Sequence, residues 1–234
     1  MLGIENEKPE MDYESVVEGS RDKGSRVEGG SKSGSKKLTK NFKKKSNSFK
    51  ITFLAVIEGI VNEFNLLRSD PNGYVPKIEE LIKYIQPNPE PKKNQNFIYS
   101  QEKLPKTMLL NGEVAFRDMI NILKVTAPLP SFEFKQDLVI EVPENSKEWF
   151  NKDVINTLFN KKKEELRDKY QSFSFHYDIG TCIPNVSTVL QVVDDNVGFS
   201  GSRRHNLLSE TFKYIGIGCA KEKTKYCFYI VFAN

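Results

Sequence analysis

The chain has 234 residues, 38% of them hydrophobic, and its 35 Lys and Arg against 31 Asp and Glu leave a formal net charge of +4. The charge is unevenly placed: residues 1–20 carry one Lys and six acids, residues 21–50 carry eleven basic and two acidic residues, and residues 51–234 balance. A neutral folded part excludes a nucleic-acid reader built on a uniformly basic globular face, and the length suits one domain with a tail.

Residues 1–50 are rich in Ser, Gly, Lys and Glu, with scattered apolar side chains. Such a segment buries too little surface to offset backbone ordering, so it is expected to be disordered alone or ordered by a partner. It has an acidic tip and a Lys-rich stem. Residues 29–57 contain no acid, and Leu38, Phe42 and Phe49 interleave with the lysines. Lys36, Lys37, Lys40, Phe42, Lys43, Lys44 and Lys45 are therefore the candidate partner-binding residues, an electrostatic arm for an acidic protein surface such as a microtubule or ciliary assembly. An anionic membrane is a weaker candidate, and the neutral domain disfavours nucleic acid. The competing reading is a solvated linker.

The first residues, Met1-Leu2-Gly3-Ile4-Glu5, have neither the charged start nor the apolar stretch of a secretory signal, and Gly3 comes one place late for myristoylation. No apolar run approaches the roughly 18 residues of a spanning helix. Cys182, Cys219 and Cys227 are too few, and odd in number, for a disulfide framework. An intracellular, cytoplasmic chain is expected, with cytoskeletal or ciliary placement as the narrower version.

From residue 53 the pattern turns helical, with Leu54, Ile57, Val61, Phe64 and Leu67 at the spacing of a buried stripe. Ser69-Asp70-Pro71-Asn72-Gly73 is expected to stop it. A second amphipathic segment, residues 75–85, puts Ile78, Leu81, Ile82 and Ile85 on one side, and Pro87, Pro89 and Pro91 follow as a stiff polar loop. A third helix is expected over residues 111–124, capped by Asn111, with Val114, Ile120 and Leu123 inward. Residues 145–170 are helical by composition, burying Trp149, Phe150, Ile155, Leu158 and Phe159.

The period then shifts to two. Phe173, Phe175 and Tyr177 alternate with Ser174, His176 and Asp178, giving a strand with one aromatic face. Residues 214–220 and 226–233 form a C-terminal antiparallel hairpin, across which Cys219 and Cys227 are expected to approach as a reduced pair. Gly216 and Gly218 share one face and suit close packing of a helix. Helices first and strands last indicate an α+β domain over residues 51–234 with an antiparallel sheet.

Four separated pieces, residues 65–71 with Tyr74, residues 112–130, residues 190–197 and residues 204–218, in that order resemble the SCP-like domain of the CAP superfamily. Asn65-Leu66-Leu67-Arg68-Ser69-Asp70-Pro71 with Tyr74 is similar to its opening N-x-x-R-x-x-P-x-x-Y helix, and residues 112–130 to the stretch before its main helix. Residues 190–197 resemble L-x-x-x-I-D-D-G-V, and residues 204–218 resemble R-x-N-I-x-x-x-x-F-x-x-x-G-I-G. The resemblance implies an α-β-α sandwich. It also implies a central cleft where metal-binding members place two histidines and nearby acids. Here Arg203 or Ser202 stands where the second histidine belongs, His205 lies two places away, and Tyr177 replaces the acid of the family's G-E-N-I. Residues 53–175 contain no histidine. Arg203, Arg204, His205 and Tyr177 thus mark a degenerate cleft with no catalytic, cofactor-binding or metal-binding residues. An arginine there could serve as a fixed cation pairing with Asp194 or Asp195; otherwise both arginines point to solvent. No P-loop, G-x-G-x-x-G, H-E-x-x-H, paired C-x-x-C or G-x-S-x-G elbow occurs. The expectation is a non-catalytic structural or interaction module without cofactor. A lipid- or sterol-binding module is the first alternative, and a metal-dependent hydrolase the second.

Overall fold

The structure, a computed structural model, describes residues 53–92, 94–142, 151–195, 202–222 and 225–234. The candidate arm residues Lys36, Lys37, Lys40, Phe42, Lys43, Lys44 and Lys45 lie outside them, as do Trp149 and Phe150.

Helix α1 occupies residues 53–69 and buries Ile60, Val61, Phe64 and Leu67. Leu54, expected in that stripe, is 54% exposed, because Phe53, Val56 and Ile57 are the residues by which the first turn packs on the core. Only Asp70 separates α1 from α2 (Pro71–Ile82). The Asp70 carboxylate accepts from the Gly73 N–H at 2.8 Å, and Pro71 opens the helix where no N–H is needed. The 69–73 segment therefore starts a helix as well as ending one. Ile85, expected on that helix, lies instead in a small antiparallel sheet of β1 (Ile85–Pro87), β2 (Phe97–Tyr99) and β3 (Thr107–Leu109).

Helix α3 (Glu113–Val125) buries Phe116, Met119, Ile120 and Leu123, while Val114 sits on the opposite side and is 62% exposed. Its N-cap is Gly112, at φ 57°, rather than Asn111. A short strand β4 (Glu133–Phe134) and a 3₁₀ turn (Gln136–Leu138) follow. Helix α4 (Lys152–Leu166) is capped by Asn151, which accepts from the Asp153 N–H at 2.8 Å. The remaining elements are β5 (Phe173–Gly180), α5 (Pro184–Val193), α6 (Ser202–Leu207), β6 (Tyr214–Glu222) and β7 (Lys225–Ala233).

The larger sheet has the order β4-β6-β7-β5. Its long strands are antiparallel, β6 and β7 form the C-terminal hairpin, and β4 adds a two-residue parallel contact. The fold class is α+β. Alternation along β7 separates two cores. Phe228, Ile230 and Phe232 enter the larger one with α1, α2, α3 and α5, whereas Cys227, Tyr229 and Val231 enter a second one under α4. Helices thus cover both faces of the sheet. Cys219 packs toward the first core and Cys227 into the second, so they face apart rather than forming the expected pair. What packs on Gly216 and Gly218 is not a helix but the segment after β4. A Cβ at Gly216 would lie 2.5 Å from Leu138, and one at Gly218 would lie 2.2 Å from the Ile140 carbonyl oxygen.

The loops are tied to α1 by one buried side chain. The Arg68 guanidinium, 1% exposed, donates to the carbonyls of Pro130 (2.7 Å), Leu207 (2.9 Å), Ser209 (2.9 Å) and Phe212 (3.3 Å). It also lies 3.9 Å from the centre of the Phe132 ring. One turn earlier, Asn65 exchanges hydrogen bonds with the main chain of Phe132 in both directions. Lysine offers three donors and no planar fork, so Arg68→Lys leaves buried carbonyls without partners. The expected loss is about 2–4 kcal/mol, read as a lower urea midpoint at unchanged slope.

Candidate functional site

The aromatic residues of β5 decide which of its side chains reach the middle of the molecule. Phe159 of α4 lies 5.2 Å from Phe175 and 6.5 Å from Tyr177, ring centre to ring centre, which turns both into the second core. His176 and Asp178 must then face the other way, toward α5 and α6. Tyr177, expected in the degenerate cleft, thus packs in the second core, and strand alternation turns His176 and Asp178 to the opposite side. Asp178 is the residue that the sequence reading missed, although the period-two pattern of β5 carried the signal.

Helix α5 is buried along its length from Val186 to Val193, polar Ser187, Thr188 and Gln191 included. Gln191 bridges two of the polar groups, its Nε2 donating to Ser187 Oγ at 2.9 Å and its Oε1 facing His176 Nε2 at 3.1 Å. With a carbonyl oxygen opposite, Nε2 is the protonated nitrogen of a neutral imidazole. Burial, reinforced by the Arg203 charge, holds the His176 pKa down to about 3.

Asp194 ends α5 in the left-handed region, at φ 54°. From there the two adjacent acids diverge. Asp195 turns to the start of α3, accepting from the Asn111 N–H (2.9 Å), Asn111 Nδ2 (2.8 Å) and the Gly112 N–H (2.7 Å). It supplies the cap that Gly112 lacks. Asp194 turns to Arg203, accepting from its N–H at 3.2 Å and lying 3.7 Å from its Nε. Arg203 Nη1 also donates to Asp178 Oδ1 at 3.2 Å. Burial pushes the Asp178 carboxyl above the usual carboxylate range, and Arg203 pulls against that shift.

Of the two residues that could stand at the histidine position, Ser202 is exposed and Arg203 is wholly buried. Arg204 does not join the cluster. Half-buried, it donates to the Val192 carbonyl at 2.9 Å and to that of Val193, closing the end of α5 with a cation. His205 is exposed on the far side of α6. The structure thus brings together Arg203, Asp178, Asp194 and the His176–Gln191–Ser187 chain, and separates Tyr177, Arg204 and His205 from them.

Chemically the cluster is closed. Two carboxylates meet one guanidinium in a space that solvent does not enter. An amide stands between Ser187 and His176, so the imidazole cannot act directly on the hydroxyl. Among the described residues no group of three or more His, Cys, Asp or Glu side chains is arranged to hold a metal ion. No described helix is long and apolar enough to cross a membrane. In comparison with known proteins, no family model, curated protein or solved structure matches this chain.

Arg203→Met removes the only cation that Asp178 and Asp194 contact among the described residues, leaving both carboxylates in a dry site. Chemical denaturation is expected to show a loss of about 3–5 kcal/mol. His176 sets a pH dependence whose sign follows from its lowered pKa. The unfolded chain takes up a proton near pH 6.5 and the folded one does not until about 3, so stability is full above 6.5 and falls below it. The limiting slope is about 1.4 kcal/mol per pH unit. Unfolding midpoints of His176→Gln and the parent, taken between pH 7 and 5, are expected to converge as the pH drops; parallel curves would show a charged histidine in the fold.

Proposed function

We propose that this chain is a non-catalytic structural or interaction module built on a degenerate SCP/CAP-type domain. Its Lys-rich arm, Lys36, Lys37, Lys40, Phe42, Lys43, Lys44 and Lys45, docks an acidic protein surface within a larger assembly, with cytoskeletal or ciliary lattices as hosts. The observation that carries the reading is the burial of Arg203 between Asp178 and Asp194. Under the resemblance Arg203 stands where a metal-binding member has a histidine, and its guanidinium takes the nearby carboxylates as its own partners. A divalent cation there would have to displace or approach a fixed positive charge.

Three further features support the same assignment. Helices cover both faces of the larger sheet, the layering an α-β-α sandwich requires. Asn65, Arg68, Pro71 and Tyr74, the residues of the opening motif, each hold a structural position: a clamp on Phe132, a clamp on four carbonyls, a helix start, and a buried hydroxyl donating to Glu63 at 2.8 Å. Residues 51–234 carry no net charge, so electrostatic recognition falls to the arm.

The test is made on the full chain. Binding to an acidic polyglutamate peptide and to microtubules is compared between the parent and a variant with Lys36, Lys37, Lys40, Lys43, Lys44 and Lys45 replaced by Gln. The variant is expected to bind at least about tenfold more weakly, a difference of about 1.4 kcal/mol that shrinks as salt is raised. Equal binding by both proteins removes the docking role. Zinc binding at micromolar affinity, followed by calorimetry, removes the degenerate-cleft reading.

A further inference from the structure

Asp178, Asp194 and Arg203 put two carboxyl groups and one guanidinium in a site from which water is excluded. Arg203 Nη1 stands 3.2 Å from Asp178 Oδ1, and its Nε stands 3.7 Å from Asp194 Oδ1. A guanidinium closed on a single carboxylate makes contacts of about 2.7–2.9 Å. Arg203 is instead divided between two acids.

The other ionisable groups about Asp178 do not balance this charge. On β5 lies His176, a neutral imidazole. From β7 comes the Cys227 thiol, which burial pushes up to about 12 and so keeps uncharged. Helix α5 offers Asp194 and the Ser187 hydroxyl, and α6 offers Arg203. Residues 196–201, which join α5 to α6, have no ionisable side chain. With both carboxyls ionised, the groups described here sum to one excess negative charge. Two acids that share a dry site relieve such an excess by holding a proton.

Asp178 has the better place for it. Asp194 Oδ2 is engaged by the Arg203 N–H at 3.2 Å. Asp178 meets the Ser187 hydroxyl, whose oxygen has the lone pairs to accept from a carboxylic acid. A protonated Asp178 still keeps one oxygen for Arg203 Nη1. Burial first, and Asp194 after it, push the Asp178 carboxyl above the usual range, while Arg203 pulls it down.

We infer that Asp178 is a proton-binding site that couples the seating of α6 to pH. With the proton bound the cluster is balanced, and Arg203 keeps α6 fastened to β5. Without it, α6 opens more readily, because opening lets water reach the excess charge. Seated, Asp178 titrates above the usual carboxylate range, and opening returns it there. The seat is therefore firmest at low pH and weakens as the pH rises through the seated value. His176 acts in the opposite sense, since its contribution is lost as the pH falls. The inference is independent of the docking role proposed for residues 36–45.

Carboxyl-carbon NMR and amide hydrogen exchange on the full chain test it. The Asp178 Cγ signal is expected to titrate above the usual Asp value of about 3.9. Beyond that midpoint the protection factors of the Asn206, Leu207 and Leu208 amides are expected to fall, by up to about tenfold per pH unit. Those of Ile230 and Phe232 in β7 are expected to hold. Asp178→Asn keeps the shape and an acceptor for Arg203 but cannot ionise. Its α6 protection is expected to stay level from about pH 6 to about pH 9, at or above that of the parent. An Asp178 signal that titrates at the usual value overturns the inference. So does α6 protection in the parent that is indifferent to pH, or that falls together with β7. A pH dependence that survives in Asp178→Asn overturns it too.

Discussion

Arg68 holds a cation where water does not reach, and four main-chain carbonyls stand in for solvent. Three of those carbonyls belong to two loops without regular structure, one leading into β4 and one joining α6 to β6, and the fourth, of Leu207, ends α6. A loop passing through the interior must find donors for its carbonyls, and a guanidinium supplies five in one plane. Burial lowers the Arg68 pKa only to about 10, so the group stays charged and donating at neutral pH. Helix α1 thus sets the entry of β4 and β6 together. The parallel contact between these strands follows from having both loops fastened to the same side chain.

Arg203 solves the same problem by the opposite means. Its partners are carboxylates, so its site is an ion cluster rather than a ring of carbonyls. Such a cluster is costly to assemble in a dry interior, and its stabilising value depends on every member being present. What it secures is position. It holds the short α6, too small to persist by itself, against β5 and the end of α5. Arg204 and Asp195 extend this fastening to the end of α5 and the start of α3. A centre organised this way has its charges paired with one another, while His176 Nδ1 has no hydrogen-bond partner among the described residues.

The legibility of the sequence tracked the range of the interactions. Helix α1, helix α4 and the final hairpin were readable because their periodicity is local and strong. The sheet β1–β3 was not, since strands of three residues show no period and one of them contains Pro87. Val114 was misplaced because Ala115 and Phe116 shift the buried stripe by one position. The N-terminal cap of α3 was out of reach, as its carboxylate comes from Asp195, more than eighty residues away. Arg68 drew attention through a resembled motif, but its acceptors lie between 62 and 144 residues from it, and no pattern in the chain names them. The error at Tyr177 was different in kind. An aligned motif put it in the cleft, whereas the alternation already visible in Phe173, Phe175 and Tyr177 turned it away. The physical pattern was the better guide.

The two cores and the closed cluster have a consequence for where recognition can occur. The buried charges pair within the domain, and the charges of residues 51–234 cancel. Under the proposed reading, recognition falls to the appended charge: the lysine-rich stem leads into α1, and α1 begins beside Ile217, Gly218 and Cys219 of β6. The domain then contributes to binding as an anchor for the arm rather than through its centre.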